Sequence, residues 1–209
     1  MPNWKIDHLV IAADDLDSGC DHVERLLGER PVIGGRHPGW GTHNAVMTLG
    51  PWTYLEVISL DPTLQAPPGP VPFGLDRSDL PTMTTWACSG IPLDQLPGLT
   101  ADSAHPIPPA CPMSRVRPDG SVLNWTLTDP ACMFHDGLVP FFIDWGSDPH
   151  PAGSMPGSCT LRELLLETPD PAGLEDHLRL LGIGIDVRHG SSTRMIAIVD
   201  TPSGPVELS

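Results

Sequence analysis

One supersecondary unit recurs along this chain: a strand, a helix, then three more strands. That recurrence limits the folds open to it more than any other feature. In the first unit, alternation over Ile6–Ala12 predicts a strand with Leu9 and Ile11 on one face and Ile6, His8 and Val10 on the other. Asp14 or Asp15 caps a helix whose Leu16, Cys20, Val23 and Leu27 recur at helical spacing, and Gly28 ends it. Pro31–Arg36 reads as a short edge-like strand, and two further strands are split by Gly50-Pro51. In the last of them Leu55 and Val57 alternate with Tyr54, Glu56 and Ile58.

A second unit begins at Thr82–Cys88. Its helix is reduced to Leu93–Leu96, bracketed by Pro92 and Pro97. The turn Arg117-Pro118-Asp119-Gly120 then joins a strand to Val122–Thr128, and Val139–Trp145 is the last strand. In a third unit, Leu161–Glu167 is a strand, and Asp170 caps a helix with Pro171 in its first turn. Ile185–His189, Thr193–Val199 and Val206–Ser209 follow as strands. The helix ends repeat in residues: Asp21-His22-Val23-Glu24-Arg25-Leu26-Leu27-Gly28 against Asp176-His177-Leu178-Arg179-Leu180-Leu181-Gly182. The expected organisation is a first unit over 1–60, a proline-rich connector over 61–81, a second unit over 82–147, and a linker with the third unit over 148–209. The fold class is α+β, built from repeated βαβββ units.

Composition narrows the function. A net charge of −15 argues against nucleic acid and against anionic membrane surfaces. With no signal-peptide core and no long apolar span, a cytoplasmic location is expected. Five cysteines without a Cys-x-x-Cys argue against a disulfide framework or a structural zinc knuckle. The partner expected is a small molecule.

Parity then selects candidate residues. If Leu9, Ile11, Leu55 and Val57 pack under the helix, His8 and Glu56 point into the concave side. A buried imidazole beside a buried carboxylate is costly unless paired or metal-bound. His43 opens the run His43-Ala45-Met47-Leu49 and is expected to reach the same space. Two histidines and a carboxylate suit Fe(II), Mn(II), Zn(II) or Ni(II) with open positions. Taken singly, each has a plainer reading: a satisfied core histidine, an ion-pair partner, a loop residue. His22 and His177 are read as solvated.

The residues Ile6-Asp7-His8-Leu9-Val10, Gly41-Thr42-His43-Asn44-Ala45, Thr53-Tyr54-Leu55-Glu56, Ser114-Arg115 with Arg117-Pro118-Asp119-Gly120, and Phe142-Ile143-Asp144-Trp145 together resemble the vicinal oxygen chelate superfamily, in its glyoxalase-like domain branch. The resemblance implies cupped mixed sheets of the glyoxalase, bleomycin-resistance and dioxygenase type. It also implies a divalent metal held by first-strand and fourth-strand residues. His8 and Glu56 match those positions, and His43 matches the Gly-Thr-His motif. The second unit departs from the pattern, with Trp86 where a histidine is expected, although Asp144 offers an oxygen. In the third unit Glu163 and Glu207 match ligand positions, and an odd unit is left to pair elsewhere, for instance across a homodimer.

The expectation from these residues is a metal-dependent lyase, isomerase or dioxygenase acting on a small oxygenated metabolite. His8, His43 and Glu56 would hold the metal, Asp144 would carry the proton, and Arg77, Arg115 and Trp145 would contact substrate. The alternative is a metal-free protein of the same fold that sequesters a small molecule. Six tryptophans against one tyrosine favour stacking surfaces, with Trp86, Trp125 and Trp145 on strands of the second unit.

Overall fold

The computed structural model describes residues 3–66, 69–116 and 122–209. The turn expected at Arg117-Pro118-Asp119-Gly120 lies outside the described residues. Among these residues, twelve strands and three α-helices follow in chain order: β1 (Lys5–Ala12), α1 (Leu16–Leu27), β2 (Val32–His37), β3 (Thr42–Thr48), β4 (Tyr54–Leu60), β5 (Thr82–Ser89), α2 (Leu96–Thr100), β6 (Cys111–Val116), β7 (Val122–Leu127), β8 (Phe141–Asp144), β9 (Thr160–Thr168), α3 (Pro171–Leu180), β10 (Asp186–His189), β11 (Arg194–Thr201) and β12 (Gly204–Leu208). Each of three successive segments thus runs strand, helix, strand, strand, strand.

The first eight strands form a single curled mixed sheet in the order β2-β3-β4-β1-β5-β8-β7-β6. β1 and β5 pair antiparallel at its centre, and each is flanked by a parallel neighbour, β4 and β8. The edge strands β2 and β6 curl round until they approach each other, so the sheet is nearly a barrel. β9 to β12 form a separate four-stranded sheet, β10-β9-β11-β12.

The larger hydrophobic cluster lies outside the cup, and a smaller one lines it. Leu9, Ile11, Leu55, Val57 and Trp86 from the large sheet, Cys20 and Val23 of α1, and Leu164, Leu174, Val199 and Leu208 of the last segment belong to one buried cluster. The third segment therefore pairs inside the same chain, covering the convex face of the large sheet. Glu163 and Glu207 are both solvent-exposed on it and contribute nothing to the cup. Trp86 is a core residue too: it is fully buried, and its indole N–H donates to the Leu138 carbonyl at 2.9 Å.

Local chemistry explains the helices. Asp15 caps α1 by accepting from the Ser18 amide, and Gly28 closes it in the left-handed region at φ 77°. Gly19 lets the helix sit close on the sheet: a Cβ there would lie 2.7 Å from both Ala13 and Val57. Asp170 caps α3, with Pro171 in the first turn. α2 begins at Leu96 rather than ending there. Pro97 opens this helix instead of closing the segment before it, because a proline in the first turn forfeits no hydrogen bond. All five cysteines are free. Among the described residues no helix is long and apolar enough to cross a membrane.

Candidate functional site

The concave side holds a narrow cavity of about 40 Å³ whose lining includes His8, Asn44, Tyr54, Glu56, Arg115, Phe141 and Trp145. A bulge in β1 sets its chemistry. Opposite β5, Ile6 pairs with Cys88 but His8 pairs with Ala87, so Asp7 is the extra residue. The bulge reverses the side-chain alternation. Ile6 joins the core with Leu9, while Asp7 and His8 both turn into the cup.

Asp7 is fully buried and accepts three hydrogen bonds. His8 donates from Nδ1 at 2.9 Å, Trp145 from its indole Nε1 at 3.1 Å, and His150 from Nε2 at 3.1 Å. The tautomer of His150 follows from its other nitrogen, which accepts from the Ala152 amide at 3.2 Å. Burial pushes the Asp7 carboxyl up, but the hydrogen bonds from His150 and His8 outweigh it, and the group ends far below the ordinary carboxylate range.

With Nδ1 committed to Asp7, His8 presents Nε2 to the Glu56 carboxylate, 3.4 Å from Oε2. The contact is within ion-pair range and is longer than an ordinary hydrogen bond. The other Glu56 oxygen accepts from the Asn44 amide at 2.5 Å, and Asn44 Oδ1 accepts from an Arg115 guanidinium N–H at 3.2 Å. A continuous polar chain thus runs Arg115–Asn44–Glu56–His8–Asp7–His150 across the cup. Gly34 makes room for it: a Cβ there would lie 2.3 Å from Asn44 Oδ1 and 2.9 Å from Arg115 Nη1.

Aromatic rings close the remaining space. Tyr54 stacks on His8 at 4.4 Å, Phe141 meets its edge at 5.3 Å, and Trp125 lies 5.8 Å from Trp145. Burial raises the Tyr54 phenol well above its usual value, so it is neutral. His37 is buried beside Trp125, bonds Thr42 Oγ1 at 3.1 Å, and is pushed down by burial to about 4.

Of the residues expected at the site, His8, Glu56, Arg115 and Trp145 meet in this cavity, and His43, Asp144 and Arg77 do not line it. His43 shares its face of β3 with Ala45 and Met47, which pack into the outer core, whereas Asn44 and Val46 face inward. Its Nδ1 lies 3.9 Å from Asp61 instead. The strand parity that brings Glu56 inward sends His43 outward. Asp144 is exposed at the end of β8, where its side chain accepts from the Gly146 amide at 2.8 Å. Arg77 pairs with Asp79. Sequence reasoning missed Asp7, whose inward turn depends on a bulge, and Asn44, one place from the residue chosen. It also missed His150, which sits in a segment read as a plain linker. That segment lies against β3, with the Pro156 carbonyl accepting from Thr48 at 3.1 Å.

The donor set does not enclose a metal ion. His8 Nε2 and Glu56 Oε2 are two donors, and the facing wall is Ala87, Leu127, Phe141 and Ile143. Among the described residues no three His, Cys, Asp or Glu side chains are arranged to hold one.

A curled, nearly closed mixed sheet with few helices is a fold shared with glyoxalase-like proteins. The family model of the glyoxalase-like domain matches residues 6–182, and the chain belongs to that family. Among solved structures, a hypothetical protein from Staphylococcus aureus is similar over 98% of this chain and 84% of its own, at 14% identity and a TM-score of 0.66. Methylmalonyl-CoA epimerase from Mycobacterium tuberculosis is similar over 66% of this chain and 85% of its own, at 18% identity and a TM-score of 0.41. A single-residue variant of the Streptomyces coelicolor methylmalonyl-CoA epimerase, in complex with 2-nitronate-propionyl-CoA, is similar over 66% of this chain and 92% of its own, at 16% identity and a TM-score of 0.44. No curated protein matches the chain.

Proposed function

We propose that this protein is an acid–base enzyme of the lyase or isomerase type that moves a proton on a small oxygenated metabolite. The observation that carries the reading is the His8–Glu56 contact at 3.4 Å, held from behind by Asp7 and by Asn44. An acid and a base lie side by side in a cavity walled by apolar and aromatic rings. In the proposed step the Glu56 carboxylate takes a proton from the carbon next to a carbonyl. The released electron pair moves onto the carbonyl oxygen, which accepts the Nε2 proton of His8. The enol so formed is protonated again on carbon, or loses a leaving group. Asp7 keeps the imidazole in the orientation this requires and offsets the charge of its protonated form. Arg115 is the proposed contact for an anionic group of the substrate.

The metal-dependent and dioxygenase chemistries expected from the resemblance need more donors than His8 and Glu56 supply, so no step is drawn through a metal. Both walls of the cavity come from one chain, so the proposed site needs no homodimer. The net charge of −15 supports a small-molecule partner over nucleic acid or an anionic membrane.

The test follows deuterium incorporation by NMR. Protein in D2O is incubated with a panel of 2-oxo and 2-hydroxy acids and their thioesters, and exchange is read at the carbon beside the carbonyl. Exchange that chelator leaves intact and Glu56→Gln removes supports the proposal. Absence of exchange across the panel, or equal exchange in the variant, overturns it.

A second reading is favoured by the aromatic lining: Trp40, Trp125, Trp145, Phe73 and Phe141. A metal-free binding protein would quench tryptophan fluorescence on titration with an aromatic ligand, with the same affinity in wild type and Glu56→Gln.

A further inference from the structure

Three histidines from three separate segments meet on the far side of the molecule from the cup, and none of them lines the cavity. His105 follows α2, His135 lies in the turn Phe134–Gly137 before β8, and His177 is on α3. Their ring centres form a near-equilateral triangle: 5.2 Å between His105 and His135, 5.6 Å between His135 and His177, and 5.8 Å between His105 and His177.

That triangle has the size a metal demands. A zinc-type cation bonds imidazole nitrogen at about 2.0–2.1 Å, which puts it about 3.2 Å from each ring centre. Tetrahedral angles then separate ring centres by about 5.2 Å, and trigonal angles by about 5.5 Å. As the side chains stand, no three nitrogens are turned onto a common point. Rotation about each Cβ–Cγ bond redirects the nitrogens while leaving the ring centres almost in place.

Two further observations point to a ligand. His177 is only 5% exposed, and its Nε2 is buried with no hydrogen-bond partner among the described residues. An orphaned buried donor or acceptor is costly. The backbone that presents His135 is also unusual: His135 at φ 50° and Asp136 at φ 55° are successive non-glycine residues in the left-handed region. Such strain persists where the surroundings impose it, often at ligand clamps.

We propose that His105, His135 and His177 form a binding site for a divalent transition cation of the zinc type, with a fourth position open to water or an outside ligand. Because the three ligands belong to segments distant in sequence, the cation would fasten α3 to the loops before β6 and β8.

The experiment titrates untagged, chelator-stripped protein with Co2+, reads the visible bands of four-coordinate cobalt, and then displaces the cobalt with Zn2+. Wild type, His135→Asn, His105→Asn and His8→Ala are compared. Asn tolerates the left-handed backbone at 135, and circular dichroism checks each fold. The proposal expects one equivalent of Co2+ in wild type and in His8→Ala. It expects affinity lower by about tenfold or more in both asparagine variants, since even outer-shell changes cost 10–100-fold. No four-coordinate spectrum in wild type overturns it. So does binding that His8→Ala abolishes, or binding that the asparagine variants retain in full.

Discussion

The two walls of the cup are built from the same kind of unit and carry opposite chemistry. β1, β3 and β4 contribute Asp7, His8, Asn44 and Glu56. β5, β7 and β8 contribute Ala87, Leu127, Phe141 and Ile143 to the same space. The pair His8–Ala87 marks the boundary, since these residues face each other across the central strands. Repetition fixed the backbone scaffold and left each inward position free to vary. The apolar side chains of β5, β7 and β8 leave a low-dielectric surface beside the charged groups, Arg115 of β6 among them, which strengthens their electrostatic contacts. The polar wall supplies two donors where a cation would need more.

The comparison breaks most sharply at Glu56. Glu56→Gln keeps the shape and the Asn44 neighbour but removes the base, so deuterium exchange on an active compound should fall about 10²–10⁴-fold. An effect below tenfold would mean that the polar wall is not the reacting one. Next in size is Asp7→Asn. Removing the partner of buried imidazoles costs about 3–5 kcal/mol, read by urea denaturation. Because the folded Asp7 carboxyl is depressed, its contribution is present above the unfolded value of 3.8 and is lost as pH falls below it. The variant should therefore lose stability at pH 7 and converge on wild type in strong acid.

His37 sharpens the same contrast from the aromatic side. Its folded value of about 4 lies below the ordinary 6.5, so the unfolded chain takes the proton first as pH falls. Stability should drop by about 3 kcal/mol between pH 6.5 and 4 and then level off for this group. In His37→Phe that part of the slope should vanish; an unchanged slope would assign it elsewhere, with His177 the first candidate. The smallest effect belongs to His43→Ala, an outward-facing change expected to stay within about 0.5 kcal/mol and to leave exchange untouched. A large loss there would restore His43 to the site.

Much of the architecture was legible before any coordinates. The caps Asp15 and Asp170 and the stop at Gly28 depend on contacts within a few residues, and periodicity reports burial directly. His8 and Glu56 were legible for the same reason, because alternation holds from His8 to Ile11 and along β4. Asp7 was not. A bulge is defined by the register of two strands far apart in sequence, and nothing in Ile6-Asp7-His8 alone announces it. His43 and Asn44 show the reverse risk, where an error of one residue exchanges the two faces of a sheet.

The sequence by itself determined the repeating units, the ends of the longer helices and the histidine–glutamate pair, because those follow from local geometry and a period of two. Only the tertiary structure decided that the last segment covers the convex face, that His150 reaches Asp7, and that three remote histidines meet beside α3. Those pairings are selected by packing and buried hydrogen bonds between distant segments, whose energies no local pattern encodes.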